Sequence, residues 1–203
     1  MKKPKIHDGD ILRIPLLNKF GYAYAKYIDL RNQPNLKYPA LLKFFDYWTK
    51  IKEFEIDKIK HSDYLIQPML VAGILATLRN GLWEVIGNLE NSEDDYKIND
   101  FKAFGPPWAK EIDAKKWYAV VNGDIDNKIE TSFENVKHLE KWGAQGTGTI
   151  EIRLSIQLLL KEGLDVTNYL DLENEKINDE YKKAIEIPLL AKIPLQLRGK
   201  AIE

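Results

Sequence analysis

The sequence predicts an α+β fold, a strongly bent and mostly antiparallel sheet with helices packed on it. Three observations predict it. Two apolar runs near the N-terminus alternate with the two-residue period of strands. A second strand-like pair meets at Asn80-Gly81, a dipeptide that favours hairpins. Helical spacing gathers after Phe133, so strands come first and helices later. SH3-like and barrel-like sheets are among the shapes open to such a chain.

The elements follow in order. Asp8-Gly9-Asp10 is a turn signal, and Ile11, Leu12, Ile14, Leu16 and Leu17 read as a strand. Pro15 interrupts that strand's donors and predicts an edge or a bulge. After the short Asn18-Lys19 connection, residues 20–30 form the partner strand of a hairpin. Tyr22, Tyr24, Lys26 and Ile28 share one parity; Ala23, Ala25, Tyr27 and Asp29 share the other. The small alanines suit a tightly packed face. Residues 39–51 predict a helix, because Leu41, Phe44, Phe45, Trp48 and Ile51 recur every three or four positions and Pro39 suits a first turn.

Residues 53–56 are expected as a short strand. Residues 64–77 and 82–89 are expected as the hairpin around Asn80-Gly81, with a helix over 69–78 ending at Gly81 as the competing reading. Residues 90–95 (Glu-Asn-Ser-Glu-Asp-Asp) form a polar acidic loop, and Phe104-Gly105-Pro106-Pro107-Trp108 another loop. Residues 117–122 predict a strand, and residues 133–142 a helix with Ser132 as N-cap. In residues 150–162 alternation favours a strand, but the triple leucine and Gly163 favour a helix, which is the reading adopted. Residues 165–185 read as two short helices before an irregular, proline-broken tail. The expected division is a body over residues 1–164 and an extension over 165–203 packed on it.

The chain's 203 residues are 44% hydrophobic and 30% charged, enough to bury a core without crosslinks. It has no cysteine, which excludes disulfides, cysteine-ligated metal and thiol catalysis. The longest uncharged stretch, residues 64–78, contains Gln67 and Pro68 and is too short to span a bilayer. No apolar segment follows the basic N-terminus, so a soluble, cytoplasmic protein is expected. Residues 1–62 hold thirteen Lys/Arg against seven Asp/Glu, whereas residues 63–203 hold seventeen against twenty-four.

Catalytic patterns are missing. His7, His61 and His138 form no metal-binding spacing, and Ser62, Ser92, Ser132 and Ser155 lie in no nucleophile elbow. Gly143, Gly146 and Gly148 precede a helix but lack the lysine and hydroxyl of a phosphate loop, so they read as a flexible connector. No metal or cofactor is expected. Trp83, Trp117 and Trp142 are expected in the core, whereas Trp108 follows two prolines in a loop and reads either as a lid over the core or as an exposed recognition residue.

The segment Gly9-Asp10-Ile11-Leu12-Arg13-Ile14-Pro15-Leu16, followed by Phe20-Gly21-Tyr22-Ala23, resembles the opening of the Immunity protein 26 family of bacterial polymorphic toxin systems. Residues 80–87 are similar to that family's G-x-W-x-x-I-G segment, and residues 148–154 to a weaker C-terminal one. Ala23 stands where the family commonly has a second glycine. The resemblance implies an α+β protein that binds and neutralises a toxin without catalysis of its own.

Two alternatives stay open. One is an SH3-like nucleic-acid module using the basic N-terminal half; the other is an enzyme with an unrecognised site. For toxin binding, the candidate surface is Glu93, Asp94, Asp95 and Trp108. Carboxylates complement a basic groove and speed encounter, and a loop tryptophan anchors the contact.

Overall fold

The computed structural model describes residues 5–105 and 111–202. Strands β1 (Asp10–Pro15) and β2 (Tyr22–Asp29) form the expected antiparallel hairpin, Ile11 opposite Lys26 and Pro15 opposite Tyr22. Asn18 and Lys19 both take positive φ, 51° and 58°. The Phe20 N–H bonds the Leu17 carbonyl at 3.0 Å, which closes a type I′ turn. Gly9 and Gly21 are required by close approaches: a Cβ would lie 2.4 Å from the Leu89 carbonyl oxygen and 2.2 Å from that of Thr49, respectively.

Residues 39–51 are not a helix. They contain β3 (Ala40–Thr49), which pairs with β2 on one side and β4 (Tyr64–Ala72) on the other. The helical spacing was misleading because β3 is buried on both faces, so its apolar residues need not alternate. Register shifts between Leu42 and Phe44 and between Phe44 and Phe45 break the two-residue period further. The expected strand at 53–56 is also absent; α1 (Ile56–His61) begins there instead.

The Asn80-Gly81 hairpin is corrected too. The competing helix is nearer the structure: α2 (Ile74–Arg79) ends at Asn80, and Gly81 takes φ +67°. The Gly81 and Leu82 amides bond the Leu78 and Thr77 carbonyls, both at 3.1 Å, a Schellman C-cap. Strand β5 (Glu84–Asn88) pairs with β1 rather than β4. Pro15 lies beyond the β1 residues that β5 engages, so its missing donor leaves no gap in that ladder.

A smaller antiparallel sheet contains β6 (Phe101–Ala103), β7 (Trp117–Val120) and β8 (Lys128–Thr131). The helix expected over 133–142 shrinks to α3 (Phe133–Val136); Ser132 is its N-cap residue but makes no side-chain cap bond. Residues 143–148 are not a free connector. Within them β9 (Gln145–Gly146) pairs in parallel with Val71 and Ala72 of β4. The long helix α4 (Thr147–Lys161) follows, as the helix reading of 150–162 required, and α5 (Glu175–Glu186) lies in the tail.

The large sheet runs β5-β1-β2-β3-β4-β9, all antiparallel except the last pair. β5 and β9 do not meet, so the sheet is open, not a closed barrel. On one face Leu12, Ala23, Ala25 and Phe44 pack with Ile150, Leu154 and Leu158 of α4. On the other, Ile28, Leu41 and Leu70 pack with Phe101 and Val120 of the small sheet, and Tyr24 and Phe45 with Ile59 of α1. The outer side of α4 shares a core of its own with Val166, Leu170 and Ala184.

Charged groups join these layers. Arg153 Nε lies 3.0 Å from Glu180 and its Nη2 3.5 Å from Glu140; Lys102 lies 3.0 Å from Glu111 and 3.1 Å from Glu186. Lys102, Glu140, Arg153 and Glu180 are all buried.

Candidate functional site

The acidic loop is a built structure. Ser92 opens a turn of 3-10 helix over Glu93–Tyr96, and Ser92 with Asp95 forms a capping box. The Ser92 amide and hydroxyl donate to Asp95 Oδ2 at 3.0 and 3.2 Å. The same carboxylate reaches down to the sheet, where Lys26 Nζ lies 2.9 Å from Oδ2 and Lys43 Nζ 3.1 Å from Oδ1. Each ammonium also caps the loop backbone, Lys26 at the Glu90 carbonyl (3.0 Å) and Lys43 at the Asp94 carbonyl (3.1 Å). The Tyr64 hydroxyl completes the arrangement at 3.4 Å from Oδ1.

All three charged groups are buried, Asp95 being 7% exposed. Burial pushes the Asp95 carboxyl up. Hydrogen bonds from Lys26, the Ser92 amide and Lys43 outweigh it and hold the group well below the usual carboxylate range. Burial draws Lys43 below its ordinary value, against the pull of Asp95. Burial and the Asp95 charge together raise the Tyr64 phenol.

Of the acids placed on the candidate surface, Asp95 is instead buried, its side chain pointing into the protein. Glu90, Glu93 and Asp94 remain exposed on the outer side of the turn. Lys97 sits 2.5 Å from Asp94 and lowers its pKa through that hydrogen bond. Trp108 lies outside the described residues. Beside the turn, Tyr96, Lys97 and Asn99 border an open groove of about 700 Å³ that also meets Asn122, Arg198 and Lys200.

Lys26 and Lys43 were missed as site residues. Each interrupts an apolar strand at the parity of buried neighbours: Lys26 between Tyr24 and Ile28, Lys43 between Leu41 and Phe45. A lysine at such a position requires a buried counter-charge, and that requirement was the available signal. Arg13 belongs to the same face and is paired with Glu84, which Lys52 also approaches at 3.1 Å.

The remaining candidates have local roles. His61 meets the Asp57 carbonyl and His138 the Lys200 carbonyl, both at 2.7 Å. Ser155 is buried; its Oγ accepts from the Leu17 amide at 2.8 Å and donates to the Glu151 carbonyl at 2.7 Å. Trp83 and Trp142 are buried as expected, and Trp117 is half-buried. Among the described residues no group of three or more His, Asp or Glu side chains could hold a metal ion. No helix among them is long and apolar enough to cross a membrane.

Comparison with known proteins returns no match among curated proteins and none among solved structures. The model of one family, described as Immunity protein 26, matches residues 7–112. That span is just over half of the chain. It takes in the Gly9 and Trp83 segments and the whole acidic turn, and it ends before the segment at 148–154. The chain belongs to the Immunity protein 26 family.

Proposed function

We propose that this protein is a cytoplasmic bacterial immunity protein that neutralises a cognate toxin domain of a polymorphic toxin system by binding it, without catalysis. The observation that carries this reading is the match of the immunity-protein model to residues 7–112. The docking surface is the acidic turn, with Glu93 and Asp94 facing the partner and Trp108 as the apolar anchor. Asp95 holds the turn instead of touching the toxin. A turn fixed by two buried ion pairs is already ordered before the partner arrives, so little is lost on binding. Its outward carboxylates suit a toxin whose active groove is basic.

The test uses the toxin domain encoded beside this gene. Co-expression is expected to protect the cell, and the two proteins are expected to co-purify. The double substitution Glu93→Lys, Asp94→Lys is expected to lower the association rate roughly tenfold at low salt, with a smaller loss at high salt. Trp108→Ala is expected to speed dissociation. Full protection by all variants overturns the placement of the surface; failure of the native protein to bind overturns the immunity reading.

A further inference from the structure

A second cavity lies away from the acidic turn, at the end of the sheet where β2, β3 and β4 meet α2 and the N-terminal segment. This open groove has a volume of about 580 Å³, within the ~300–1,000 Å³ common for small-molecule sites. Its lining is mostly apolar. Ala40, Ala72 and Ala144 keep the groove wide, while Ile6, Ile74 and Leu75 supply larger surface. Leu75 is 48% exposed, so part of this apolar lining faces solvent.

The ionisable side chains nearest the rim of the groove are basic. Lys5, His7 and Arg31 border it, and no Asp or Glu does. Asp29 engages Arg31 through Nε at 2.9 and 3.0 Å, but Lys5 has no ion pair among the described residues. Two phenols, Tyr27 and Tyr38, also line the space. Tyr27 is 5% exposed, and its hydroxyl makes no hydrogen bond among the described residues. The hydroxyl stands at the groove as an available donor, and the charges that act on it most are those of Asp29 and its partner Arg31.

We propose that this groove binds a small amphiphilic carboxylate, an aliphatic chain ended by one anionic head, of the fatty-acid type. The chain lies along Ile6, Ile74 and Leu75, and the head takes the Tyr27 hydroxyl and the Lys5 ammonium. The site is independent of the toxin-docking turn.

Calorimetric titration of the full chain with sodium decanoate tests this, with decyltrimethylammonium as the same chain bearing the opposite charge. Decanoate is expected to bind one-to-one, and the cation at least about tenfold more weakly. Ala72→Phe fills the groove from an exposed position and is expected to weaken decanoate binding about tenfold or more; Lys5→Glu and Tyr27→Phe are expected to weaken it severalfold. Each variant's urea midpoint is measured alongside, so that a binding loss is separated from unfolding. Equal affinity for both head groups, undiminished binding by Ala72→Phe, or no saturable heat overturns the proposal. Glu93→Lys, Asp94→Lys is expected to leave decanoate binding unchanged, which keeps this result separate from the toxin reading.

Discussion

Removing the Asp95 carboxylate leaves Lys26 and Lys43 side by side and buried without a counter-charge. Asp95→Ala is therefore expected to cost about 3–5 kcal/mol, read as a lower urea midpoint. Because folding lowers the Asp95 pKa, its contribution is complete above the ordinary carboxylate range, about pH 4, and is lost as pH falls through the folded value. Asp95→Asn is expected to flatten the acid limb of the stability–pH curve; an unchanged limb contradicts the assignment. Two other buried carboxyls make an opposed pair. Burial raises Glu140, and its Oε1 has no hydrogen-bond partner among the described residues. Burial also works against Glu180, but Arg153 and Lys183 overcome it and lower the pKa. A carboxyl whose pKa rises on folding weakens the fold as pH climbs past its unfolded value. Glu140→Gln is accordingly expected to change stability by less than about 1 kcal/mol at neutral pH or to increase it, whereas Glu180→Gln costs roughly 3 kcal/mol. None of these partnerships could be read from spacing, since Lys26 and Asp95 meet only through the folded sheet.

The hairpin between β1 and β2 was legible because alternation, a short polar connection and flanking apolar residues all agreed. Its turn carries a local cost. Lys19 holds a left-handed backbone that suits glycine, so Lys19→Gly is expected to raise stability by about 1 kcal/mol in thermal or urea unfolding. No gain indicates that the turn adopts another form in solution. Glycine after a helix proved the harder signal. Gly163 caps α4 with the same pair of bonds that Gly81 makes for α2. The first was recognised as a cap because the triple leucine just before it favoured a helix. The second was taken for a hairpin because α2 has only six residues, too few to display a period. β3 shows the same limit from the other side: a strand covered on both faces carries no polar rhythm to mark it.

At the scale of the molecule, the opposite charges of the two sequence segments do not make two patches. Arg13, Lys26, Lys43 and Lys52 from the basic segment meet Glu84 and Asp95 from the acidic one. The α+β class was readable from the order of elements, but the open edges of the sheet were not, because closure depends on which strands meet. Residues beyond 164 complete the outer side of α4 and supply one of the carboxylates that pair with each of Arg153 and Lys102. A chain ending at Leu164 exposes Ile152, Ile156 and Leu159 and leaves those cations short of partners. It is expected to lose cooperative unfolding, seen as a broadened denaturation curve; a sharp transition like that of the full chain contradicts this.

The Asp95 clamp is also expected to set an order of events during synthesis. β2 and β3 are both complete once Thr49 is made, yet their lysines meet a carboxylate only when Asp95 emerges. Until then, covering that face of the sheet would entomb two bare ammonium groups at a high cost in free energy. The nascent sheet is therefore expected to stay open on one side until the acidic turn arrives and lets it close.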